Sequence, residues 1–143
     1  IADANVDPAS GAGPALNALT DMAALLYRAQ LAGIEVPAER WRVVSDYACK
    51  SFPNPGIAFA DIHAALAHAM AGNGETLETL ITDADGPAAD TVRPVAEGFK
   101  AIAAQDWAGG IASLTFQLLP GIETGGTAPV EARTTSVQDN WRV

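Results

Sequence analysis

The stretch from Val92 to Pro120 constrains this chain most. Two apolar segments there flank a short break at Gln105-Asp106-Trp107. Val95, Phe99 and Ile102 recur at helical spacing on one side, and Trp107, Ile111, Leu114 and Leu118 on the other. Helices joined by so short a turn fold back on each other as an antiparallel hairpin. The order Trp107, Ile111, Leu114, Leu118 predicts that both aromatic and aliphatic residues line the seam.

The upstream chain repeats the design. A first helix is expected over about Ala15 to Ala32, with Leu16, Leu19, Ala23, Leu26 and Gln30 on one stripe and Met22, Leu25 and Ala29 beside it. That face is wide enough to predict neighbours on two sides. Gly33 suits the position just past a helix end, where a left-handed backbone favours glycine. Pro37 opens a second helix to about Lys50, with Trp41, Val44, Tyr47 and Ala48 as core positions. Phe52-Pro53-Asn54-Pro55-Gly56 stops it. A third helix, about Ala58 to Ala71, carries the stripe Phe59, Ile62, Leu66, Met70, and Gly72-Asn73-Gly74 turns the chain. A fourth, about Glu75 to Ala84, buries Leu77, Leu80 and Ile81. The fifth begins near Asp90 or Thr91, which places Pro94 in its first turn.

Turns near Gly33, Gly72 and Gln105 recur at close to the ~34 to ~40 residues of helical-hairpin repeats. In such arrays each hairpin buries its apolar face on the next, and a curved groove results. The fold expected is all-α: about three hairpins over residues 14–120, a lead-in at 1–13, and a loop with a short helix opening at Pro129 over 121–143.

Charge excludes some partners. The chain of 143 residues has a formal net charge of −9, and no Lys or Arg lies between Lys50 and Arg93. Nucleic acid and anionic lipid both need cations against phosphate, so neither is expected as a partner. Solubility alone also accounts for the acid. No apolar run is long enough to predict a membrane span. One cysteine, Cys49, excludes an internal disulfide framework and suits a reducing, cytoplasmic setting. The start at Ile1 lacks an initiator Met, so a piece of a longer protein is expected.

Two resemblances sharpen the architecture. The segment Gly98-Phe99-Lys100-Ala101-Ile102-Ala103-Ala104-Gln105-Asp106-Trp107-Ala108-Gly109-Gly110-Ile111 resembles a tetratricopeptide repeat, with small residues for close helix approach and an aromatic in the seam. It departs at Gln105, where that repeat has glycine, which predicts a different turn geometry. Over a longer span, Thr20-Asp21-Met22-Ala23-Ala24-Leu25-Leu26-Tyr27-Arg28-Ala29-Gln30-Leu31-Ala32-Gly33, then Arg40-Trp41, then Ala58-Phe59-Ala60-Asp61-Ile62-His63-Ala64, is similar to the C-terminal portion of the tetratricopeptide repeat protein 38 family. The resemblance implies a tetratricopeptide-like α-α superhelix that is the terminal part of a longer chain. It implies no defined activity.

Candidate chemistry is sparse. His63 flanks the apolar stripe of the third helix, and it reads either as a groove residue orienting a ligand or as a histidine hydrogen-bonded in the seam. Asp61, two residues away, points elsewhere on a helix. His68 reads as a surface residue. Cys49 with His63 could form a nucleophile pair if their helices pack, against the usual inert thiol. Arg28, and Arg40 or Arg42, could hold a carboxylate, against the usual solvated arginine. Trp41 and Trp107 read as seam anchors before ligand stackers. Asp83, Asp85 and Asp90 lack the spacing of a calcium loop. Asp61, His63, Arg28 and Trp41 are thus the candidate binding residues, with no catalytic set, metal site or cofactor read. The leading function is a module that binds a protein or peptide or pairs with a second copy. The alternative is an enzyme or small-molecule domain using His63.

Overall fold

The structure, a computed structural model, describes residues 14–118. Among these the chain is all-helical, with six α-helices and one 3-10 turn. They are α1 (Ala15–Leu31), α2 (Ala38–Ser51), α3 (Ala58–Ala71), α4 (Gly74–Asp83), α5 (Ala89–Ala103) and α6 (Trp107–Leu118), with the 3-10 turn Gly86–Ala88 leading into α5. The lead-in expected at 1–13 and the tail at 121–143 lie outside the described residues.

Local chemistry sets these bounds. Leu19, Met22, Ala23 and Leu26 place the core stripe of α1 at i, i+3, i+4 and i+7. Burying a leucine or methionine side chain stabilises the fold by roughly 1.5–3 kcal/mol, and the methyl of Ala23 by less. The outer face of α1 is more polar than expected: Asn17, Asp21 and Arg28 are exposed there, and Leu25 is 45% exposed. Pro37 stands just before α2, as its missing N–H allows.

The three turns that close α1, α3 and α5 share one geometry. Ile34 N–H reaches Ala29 O, Asn73 N–H reaches His68 O, and Asp106 N–H reaches Ala101 O. Inside each, Gly33, Gly72 and Gln105 donate to Gln30, Ala69 and Ile102. These paired bonds define the Schellman ending, with a left-handed residue at its centre. That residue is Gly33 at φ 79°, Gly72 at φ 72° and Gln105 at φ 61°. The altered turn expected from Gln105 is therefore corrected. The backbone keeps the shared form, and glutamine takes the left-handed conformation.

Helix neighbours follow the order of stacked hairpins. Consecutive helices pack, and α1 packs on α3, which packs on α5. The odd helices form one layer, and α3 is at its centre, touching α1, α2, α4 and α5. The core of α3 keeps Ile62, Leu66 and Met70 of the expected stripe packed on it but not Phe59. Ala60, Ala64, Ala65, Ala67 and Ala69 are buried with Leu66, while Phe59 is 57% exposed. Four neighbours crowd this helix, so its inner face takes alanine and displaces the aromatic.

Arg93 ties α5 to α4. Its Nε donates to Ile81 O at 3.2 Å and its terminal nitrogen to Ala84 O at 2.6 Å, which satisfies carbonyls at the end of α4. Pro94 is not in the first turn, because α5 begins at Ala89. Its ring removes one N–H that would have reached Asp90. Between α5 and α6 the glycines decide the spacing. A methyl at Gly110 would stand 2.8 Å from Ile102 Cγ1, and one at Gly98 would stand 2.9 Å from Leu114. Among the described residues, no helix is long and apolar enough to cross a membrane.

Candidate functional site

The four residues singled out in the sequence do not converge. Trp41 is 3% exposed and belongs to the core. Arg28 is exposed in the last turn of α1, where a cation complements the negative helix end. Asp61 is buried, and one carboxylate oxygen accepts from Gly56 N–H at 2.9 Å. Burial pushes its carboxyl above the usual range, against backbone N–H groups of Gly56 and Ile57 that pull it down. This carboxylate folds the 52–57 loop back onto the first turn of α3. His63 is half-buried, and its Nδ1 lies 2.7 Å from Phe59 O in its own helix. Nδ1 therefore carries the proton and donates. The ring also meets the edge of Phe59 at 4.7 Å between centroids.

The buried histidine is His68. It is 3% exposed, which corrects its assignment to the surface. It falls seven residues after Asp61, so both occupy the inner face of α3. A hydrogen-bond chain holds it. Thr76 donates to Asn73 Oδ1 at 2.9 Å, Asn73 Nδ2 donates to Ser45 Oγ at 3.3 Å, and Ser45 Oγ lies 2.8 Å from His68 Nδ1. With Asn73 donating to the serine oxygen, the serine proton is free to point at Nδ1. Burial lowers the His68 pKa to about 4, opposed by Asp46, so the ring is neutral near pH 7.

His68 lines a cleft of about 130 Å³ with Cys49, Phe52, Asp61, Thr76 and Asp83. Cys49 thus shares a cleft with His68, not with His63 as the pairing idea supposed. Its thiol is pushed up by burial and by Asp46. A raised thiol beside a neutral imidazole lacks the ion pair that activates a cysteine nucleophile. Among the described residues, no three His, Cys, Asp or Glu side chains are grouped to hold a metal.

A larger cup, of about 500 Å³, opens where α1, α3 and α5 end. Tyr27, Gln30 and Leu31 line it from α1, Ala69, Met70 and Gly72 from α3, and Ile102, Ala103, Gln105 and Trp107 from α5 and its turn. No charged side chain is in this lining. Trp107 is 61% exposed and Leu31 70% exposed. Trp107 is therefore not the seam anchor expected; Gly110 and Leu114 meet α5 instead. Its place follows from the cap: Asp106 Oδ1 accepts from Gly109 N–H at 2.9 Å, so Trp107 is the first helical residue. Side chains lean back toward a helix N-terminus, which sends Trp107 over the turn and the end of α5. That Asp-Trp pair is the signal by which sequence reasoning could have placed it.

Compared with protein-family models, with curated proteins and with solved structures, the chain finds no match.

Proposed function

We propose that this chain is a helical-repeat binding module of the tetratricopeptide type, similar to the tetratricopeptide repeat protein 38 family, and that its cup holds a segment of a peptide or of another protein. The carrying observation is the cup itself. Three helices supply an apolar floor, and Leu31 and Trp107 stand exposed at its edge. Its volume of about 500 Å³ lies within the ~300–1,000 Å³ of ligand sites. Exposed Trp is the residue type most enriched at interface hot spots. The three identical turns and the glycine-mediated approach of α5 and α6 support the tetratricopeptide likeness.

The alternative, a catalytic or small-molecule pocket using His63, gains no support from that side chain, which is turned onto its own helix and lines neither cavity.

A peptide-display selection against the full chain tests the proposal. Enriched peptides should lose at least ~10-fold in affinity on Trp107→Ala or Leu31→Ala, since hot-spot truncations cost upward of ~1–2 kcal/mol. Both residues are exposed, so the variants should keep the parent melting temperature. Peptides that bind both variants unchanged would place the binding surface elsewhere.

A further inference from the structure

The cup has a chemical preference beyond its shape, and this inference rests on the binding reading above. The C-terminal ends of α1, α3 and α5 all reach it, through Leu31, Gly72 and Ala103. Each helix end carries the equivalent of roughly half a negative charge. Their carbonyls at Gln30, Ala69 and Ile102 each accept one turn N–H. A carbonyl oxygen has a second lone pair, so these bonds do not exhaust it. Three such ends around one cavity give it a negative potential, although no carboxylate lines it.

The nearby cations leave that potential largely in place. Lys100, in the last turn of α5, is drawn to Glu78 and Glu97 instead. The Glu78 hydrogen bond, followed by the neighbouring carboxylates, raises its pKa. His68 is neutral. Arg28, in the last turn of α1, offsets part of the charge at that one end from outside the cup lining. The chain as a whole is acidic, at −9.

The lining supplies the other half of the match. Tyr27 and Trp107 present aromatic rings, and a cation over such a face gains ~0.5–2 kcal/mol. Gln30 and Gln105 bring amide oxygens that can accept an N–H. Leu31, Met70 and Ile102 offer apolar surface for an aliphatic stem. A charged head on a long methylene stem has this two-part character. We propose that the cup captures a lysine or arginine side chain from a basic segment of a partner chain, its stem on Leu31, Met70 and Ile102 and its cationic head at Trp107, Tyr27 and the three helix ends.

The test uses the full chain labelled with ¹⁵N and three blocked peptides, with a central lysine, norleucine or glutamate between leucines. Binding is read from the Trp107 indole N–H, assigned by Trp107→Phe. The lysine peptide should bind at least ~5-fold tighter than the norleucine peptide, with glutamate weakest. The lysine advantage should shrink between ~50 and ~500 mM salt, as a charge interaction requires. Val43→Ala, on α2, should leave the order unchanged, and Trp107→Ala, read from the Gln105 backbone amide at the same cup, should abolish it. Norleucine matching lysine, or glutamate binding tightest, would overturn the cation preference and leave the cup as a peptide site. Failure of all three peptides to shift the indole would overturn the binding reading beneath it.

Discussion

Tyr27 and Phe99 meet edge-to-face across α3, with ring centroids 6.2 Å apart and planes at 75°. They belong to α1 and α5, which flank α3 on its two sides. Helices two places apart touch through long side chains only if the helix between them is slim. The alanines of α3 make it so. The pair therefore links the first hairpin to the third. A double-mutant cycle with Tyr27→Ala and Phe99→Ala, followed by urea unfolding, should give a coupling of about 0.5–1.5 kcal/mol. A coupling near zero would mean that the two hairpins hold their places independently.

Gln105 takes the left-handed conformation that glycine takes in the other two turns. A residue with a Cβ pays about 1–2 kcal/mol there, offset in part by the smaller unfolded-state entropy of glutamine relative to glycine. Gln105→Gly should therefore stabilise the chain by about 0.5–1 kcal/mol, and Gly72→Ala should destabilise it by about 1 kcal/mol. Nothing lies within 4 Å of a methyl added at Gly72, so its effect reads the backbone alone. Thermal unfolding of both variants checks the pair. Equal signs would show that the turns are not equivalent.

The fold was legible where punctuation is strong. Glycine or glutamine turns, Pro37 and the 52–57 breaker placed all six helices within a residue or two. The hairpin rhythm followed from them. What misled was the choice of inward face on two helices. On α3 the expected stripe held at Ile62, Leu66 and Met70, but Phe59 turned outward, and crowding by four neighbours put alanines and His68 inside. On α6 the aliphatic stripe through Trp107 and Ile111 lost to Gly110, because only a glycine admits Ile102 so closely. Small residues carry little hydrophobic signal, and here they decide the packing. The cup was not legible at all, since it needs three turns far apart in sequence to meet.

The α5–α6 glycines supply a contrast in sign. Alanine has the better helix propensity, by about 1 kcal/mol. At Gly98 and Gly110 the added methyl meets Leu114 or Ile102 near the root of the side chain, where it cannot swing aside. Overpacking of this kind costs about 1–3 kcal/mol. Gly98→Ala and Gly110→Ala should each destabilise by about 1 kcal/mol net. Gly74→Ala, in open space at the start of α4, should be neutral or mildly stabilising. Chemical denaturation midpoints for the three variants give the comparison directly.

His68 makes stability depend on pH, weakening the fold toward acid. Its ordinary pKa of 6.5 falls to about 4 in the folded chain, chiefly through burial. Between these values the unfolded chain binds a proton that the folded chain refuses, so stability falls as pH drops. The contribution is fully present above pH 6.5 and is lost toward pH 4, an effect of about 3 kcal/mol over that window. Geometry agrees with the sign: a proton on Nδ1 would turn the acceptor of the Ser45 bond into a donor and reverse the chain running from Thr76. Asp61 acts oppositely, because its raised carboxyl holds a proton more tightly when folded and gives back stability at the acid end. Stability of the parent in urea unfolding should thus weaken from pH 7 to about pH 4 and flatten below. His68→Gln should remove most of that slope while lowering stability at pH 7. A His68→Gln slope as steep as the parent's would assign the acid sensitivity to another group.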